Sequence, residues 1–137
     1  MIQFIVGGKG TGKTKRLIDL ANACVETTDG NLVFIDDDDR HMYDLKHNVK
    51  FVVTKSFPLS NYREFIGFVC GILSQDADIK HIYVDGLTNV IKTVDNDGLV
   101  RLVAKLTQLS QDNTVDFTIT MNGEPADLPA EVLPLLG

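Results

Sequence analysis

Gly7, Gly8, Lys9, Gly10, Thr11, Gly12, Lys13 and Thr14 set glycine, lysine and a hydroxyl at the spacing Gly-x-x-x-x-Gly-Lys-Thr. That spacing suits phosphate capture. Glycine opens backbone dihedrals closed to other residues, so successive N–H groups can turn inward around an anion with no side chain in the way. A helix starting at about Gly12 adds the positive end of its dipole. Lys13 then reaches the β- and γ-phosphates as a cation, and the Thr14 hydroxyl is an oxygen donor for Mg²⁺. Lys9 reads as a solvent-facing loop residue or a further phosphate contact.

The pattern carries this meaning only between a strand and a helix. Ile2 to Val6 is short, mostly apolar and β-rich, as a strand buried on both faces should be. Leu17, Ile18, Leu20, Ala21 and Cys24 then recur at helical spacing, and Thr27-Thr28-Asp29-Gly30 closes the helix with turn residues.

The rest of the chain repeats this alternation. Further strands are expected over Asn31 to Ile35, Lys50 to Lys55, His81 to Asp85 and Asp116 to Met121. Helices are expected over Asn61 to Leu73, with Tyr62, Phe65, Ile66, Val69, Ile72 and Leu73 on the apolar side, and over Gly98 to Leu109. The expected fold is therefore α/β: a mainly parallel five-stranded sheet with helices on both faces, in three layers.

Ligands of such sheets gather at the carboxyl ends of the strands, and that rule ranks the remaining polar residues. His81-Ile82-Tyr83-Val84-Asp85 is an apolar strand ending in a carboxylate, placed either to hold Mg²⁺ or to cap the next turn. Asp36-Asp37-Asp38-Asp39 reads first as a solvated acidic loop, because runs of like charge repel. Asp36 or Asp37 is the residue of that run best placed to face a γ-phosphate or metal. Asn122 reads equally as a γ-phosphate contact or as part of an Asn-Gly turn.

With 137 residues, 44% hydrophobic and 23% charged, the chain reads as one domain spanning 1–137. Within it, the tail 125–137 carries Leu128, Val132, Leu133, Leu135 and Leu136, which are expected to pack on the domain or on a partner. No apolar stretch reaches membrane-spanning length and the first residues enter a strand, so a cytoplasmic protein is expected. The net charge is −6 and the thirteen Lys and Arg are scattered, which argues against a nucleic-acid partner. Cys24 and Cys70 are expected as buried free thiols on apolar helix faces.

Taken together, the phosphate loop, the downstream Ile82-Tyr83-Val84-Asp85 and the alternating elements resemble the P-loop NTPase superfamily over nearly the whole chain. The resemblance implies ATP or another nucleoside triphosphate held by Gly7 to Thr14, Mg²⁺ held by Thr14 and Asp85, and catalytic roles for Lys13 and Asp85. One departure bears on rate. Many ATPases of the branch with an added central strand place Glu directly after the Walker B Asp, and here that position is Gly86. A missing positioned base removes a factor of about 10²–10⁴, so hydrolysis is expected to be slow, or stimulated by a partner or a second copy of the chain.

The layout is also similar to the RecA-like adenosylcobinamide kinase family. Phe51 to Leu59 stands where that family has a strand followed by Glu-Pro-Leu, with Phe57 in place of the Glu; Val84-Asp85-Gly86-Leu87-Thr88 is similar to its Val-Asp-Cys-Leu-Thr, with Gly86 in place of the Cys; and Asn122-Gly123-Glu124 lies where it has Asn-Glu-Val-Gly. By that likeness His47 is a candidate nucleophile, against its plainer reading as a surface histidine. Two other functions stay open: a small-molecule kinase or nucleotidyltransferase, which needs no water-activating Glu, and a non-catalytic module gated by nucleotide.

Overall fold

Each apolar run is bounded by turn residues and has too little alternation to leave a polar face, so it is stable only where both faces are covered. The computed structural model describes residues 1–137. In it β1 (Ile2–Gly7), β2 (Asn31–Asp36), β3 (Val49–Val53), β4 (Ile79–Val84) and β5 (Asp116–Asn122) form one sheet in the order β1-β5-β4-β2-β3. Every neighbouring pair is parallel.

Helices cover both faces. α1 (Lys13–Val25) buries Leu17, Ile18 and Ala21 against Ile5, Leu32, Phe34 and Tyr83. On the opposite face α2 (Tyr62–Gln75) and α4 (Asn96–Asn113) pack Phe65, Val69, Leu99, Leu102 and Leu106 against Phe4, Val33, Ile35, Ile82 and Phe117. Adjacent strand residues such as Phe4 and Ile5 therefore serve different cores, as the period of two requires. Phe4, Phe34, Phe65 and Phe117 are fully buried, each contributing about 1.5–3 kcal/mol.

The helix starts follow from capping chemistry. Asn61 precedes α2 and accepts a bond from the Glu64 amide at 3.0 Å, and Asp95 does the same for Gly98 ahead of α4 at 2.7 Å. α1 differs: Gly12 stands at its cap, no side chain bonds its first amides, and its first turn holds no acid.

Three expectations change. Cys24 is only half-buried and Cys70 is exposed, the latter because the buried stripe of α2 runs through Phe65 and Val69 and residue 70 lies about 100° further round. Leu20 is 38% exposed for the same reason, displaced from the stripe of Leu17, Ile18 and Ala21. A short helix, α3 (Leu87–Val90), occupies a segment expected only as a turn, started by Gly86 in left-handed backbone geometry.

The tail packs on the domain. Val132 is fully buried, and Leu128, Leu135 and Leu136 lie against the larger core. The Gly137 amide donates to the Phe4 carbonyl at 2.9 Å and Leu136 forms a parallel bridge with Phe4, which covers part of the outer edge of β1. No helix is long and apolar enough to cross a membrane.

Candidate functional site

A parallel sheet brings the carboxyl ends of all its strands to one edge. Gly7 is level with Asn122, Ile35 with Val84, Val84 with Ile119, and Asp36 with Val53. Asp85, one residue past Val84, thus lies beside Asp36 on one side and Thr120 on the other. The glycine-rich loop from Gly7 to Gly12 rises from β1 at the same edge.

In the loop, Gly10 and Gly12 have φ of 80° and 84°, values that side chains disfavour. The Thr11 hydroxyl donates to the Gly8 carbonyl at 2.8 Å, and Lys13 Nζ donates to the same carbonyl at 2.7 Å. Lys13 therefore reaches back across the loop to Gly8. No side chain caps the first amides of α1, so its positive dipole end and the Lys13 cation share the amino end of the helix.

Asp85 is held by hydroxyls. Thr14 Oγ1 donates toward its carboxylate, 3.1 Å from each oxygen, and Thr120 Oγ1 donates to Oδ1 at 2.9 Å. The Gly86 amide in turn donates to Thr120 Oγ1 at 2.8 Å. The Thr14 hydroxyl and the Asp85 carboxylate are adjacent hard oxygen donors, one charged, and this set fits Mg²⁺ better than a soft metal. Thr120 was not foreseen as part of the site. Its place depends on β5 lying between β1 and β4, and strand order has no local sequence signal.

Asp36 departs from a solvated acidic loop. It is the last residue of β2 and only 2% exposed, whereas Asp37 and Asp38 are half-buried and Asp39 is exposed. Asp36 Oδ1 accepts from the Asp37 amide at 2.7 Å, while Oδ2 is buried with no hydrogen-bond partner. Burial, the neighbouring Asp37 side chain and the negative charge of Asp85 push the Asp36 carboxyl up to about 8. Burial first, and the neighbouring acids after it, thus favour the protonated form of Asp36.

A cavity of about 490 Å³ adjoins Thr14 between α1 and the one-turn helix Met42–Asp44, with Ile18, Asn22, His41 and Asp44 among its lining residues. His41 Nδ1 lies 3.1 Å from Asp44 Oδ2. His47 is not at this edge: it is exposed, two residues ahead of β3, near the amino ends of the strands. Asn122 sits exposed beside Gly7, and the Gly123 amide donates to the Gly7 carbonyl at 3.1 Å. Lys9 is exposed.

The chain matches no protein-family model and no curated protein.

Proposed function

We propose that the protein binds Mg-ATP, or another Mg-nucleoside triphosphate, as a P-loop NTPase and hydrolyses it slowly unless a partner or second copy completes the site. The carrying observation is the convergence of Lys13, the uncapped start of α1 and the Thr14–Asp85 pair at one sheet edge. The position of β5 between β1 and β4 supports the branch with an added central strand. Gly7 to Thr14 would hold the phosphates, and Thr14 and Asp85 the Mg²⁺. When bound, the ion neutralises phosphate charge. The cytoplasm, rich in Mg-ATP, is the compartment this reading implies.

The absent glutamate has a conformational reason. Gly86 has φ of 72°, and a Cβ built on it meets Asn89 Nδ2 at 3.0 Å. A side chain there costs about 1–2 kcal/mol in backbone strain alone. Phosphate-release assays should show turnover well below once per second for the wild type. Gly86→Glu should lower the unfolding midpoint without speeding release; a fast wild type, or a stable and accelerated Gly86→Glu, contradicts the account.

A second reading has its own observation. The cavity beside Thr14, with the His41–Asp44 pair on its wall, has room for a small acceptor, as a kinase or nucleotidyltransferase requires. Mass spectrometry of a metabolite pool incubated with protein and Mg-ATP decides between the readings by product.

A further inference from the structure

We propose that Asp36, Asp37 and Asp38 form a second site, which binds a hard divalent cation such as Ca²⁺ or Mg²⁺ without nucleotide. It differs from the ion expected between Thr14 and Asp85. Two observations carry it. One oxygen from each of the three carboxylates lies within 4.8 Å of the others. Independently, Asp36 is 2% exposed and its Oδ2 is buried with no partner. Leaving such a group unsatisfied costs about 1–3 kcal/mol, more if charged, and an ion coordinated there removes that cost.

The spacing can be tested against ionic size. Two ligands of one ion are separated by at most twice the metal–oxygen distance, about 4.8 Å for Ca²⁺ and about 4.2 Å for Mg²⁺. The triad therefore admits Ca²⁺ as it stands, and Mg²⁺ or Mn²⁺ with small rotations of the half-buried Asp37 and Asp38. Water completes the shell on the solvent side.

The competing contact is weak. Arg40 Nε lies 2.9 Å from Asp38 Oδ2 and 3.0 Å from Oδ1, but Arg40 is largely exposed and such surface pairs are worth about 0–1 kcal/mol. Each carboxylate oxygen also keeps a second lone pair for a metal. Asp36 itself is well anchored, its carbonyl accepting from the Thr54 amide at 2.9 Å and its Oδ1 from Asp37. One ligand is thus fixed by the sheet, and two can close from the loop. An ion here cancels negative charge beside Asp85, where a polyphosphate must approach.

The test uses the full chain and metal alone: calorimetry with CaCl₂ and MgCl₂, and electron paramagnetic resonance with MnCl₂, all without nucleotide. Wild type and Lys13→Ala should each bind one ion with equal affinity. Asp36→Asn should weaken binding at least about tenfold and Asp38→Asn several-fold. Asp38 lies in the loop, so its variant keeps the test decisive even if circular dichroism finds Asp36→Asn misfolded. No binding by the wild type overturns the proposal. So does undiminished binding by a folded Asp36→Asn, or loss in Asp85→Asn while Asp36→Asn retains the ion. Because Lys13→Ala leaves this site intact, failure of nucleotide binding and failure of the metal site remain separate results.

Discussion

Asp36→Asn is expected to stabilise the metal-free protein at pH 7–8, although the substitution lies in the candidate site. The folded protein holds the Asp36 carboxyl up to about 8, chiefly through burial, against an ordinary value of 3.8. Below the ordinary value both folded and unfolded chains carry the proton, and the group does not oppose folding. As pH rises from there toward 8, the unfolded chain releases the proton while the folded one keeps it, so stability falls across that window. Near neutral pH the loss is on the order of a few kcal/mol. Asparagine is uncharged at every pH, so the buried charge that opposes folding never forms. Thermal unfolding in EDTA should therefore give similar midpoints for both proteins near pH 4, and a variant midpoint higher by roughly 5 °C or more at pH 8. Parallel curves across this range contradict the burial argument.

Asp85→Asn is expected to produce two effects of opposite sign. The carboxylate is the only charged member of the Thr14, Thr120 and Asp85 cluster, and its bonds come from hydroxyls that an amide oxygen can also satisfy. The variant should therefore fold. With Mg²⁺ present, loss of the anionic donor should weaken nucleotide binding at least about tenfold. With EDTA present, the same change removes a repulsion between carboxylate and polyphosphate, and metal-free ATP should bind more tightly than to the wild type. Displacement of a fluorescent ATP analogue under both conditions reads out the pair. Weakening in both conditions would reduce Asp85 to a structural role.

The elements that position the site were legible because each has a local signal. Ile2 to Val6 and His81 to Asp85 are apolar runs, Gly10 and Gly12 of the loop fall where φ is positive, and the helix faces follow the 3.6-residue period. The observed strand ends differ by one or two residues where the chain passes gradually from ladder to turn. Asp36 was harder to read. Four aspartates in a row look like one solvated unit, yet the boundary between ladder and loop falls inside the run, after the first. A signal was present: Leu32 to Ile35 leads into Asp36 as Ile82 to Val84 leads into Asp85, two apolar runs that each end at an acid. Thr120 had no such signal. Its partnership with Asp85 arises from strand order, a property of the whole sheet. Nor could the sequence show that Gly86 lies in left-handed backbone, the geometry that disfavours a glutamate there.

The central claim is that Gly7 to Thr14 holds the phosphates of a Mg-nucleotide. Lys13 Nζ already sits over that loop, bonded to the Gly8 carbonyl at 2.7 Å, and its removal leaves only a carbonyl that water can reach. Truncating one partner of a charge-paired contact costs about 2–5 kcal/mol, at least about 30-fold in affinity. Calorimetric titration of Mg-ATP into wild type and Lys13→Ala is the direct measurement. The account predicts one site on the wild type and binding at least about 30-fold weaker, or undetectable, on a folded Lys13→Ala. Equal affinity for the two proteins, or no binding by the wild type, would contradict it.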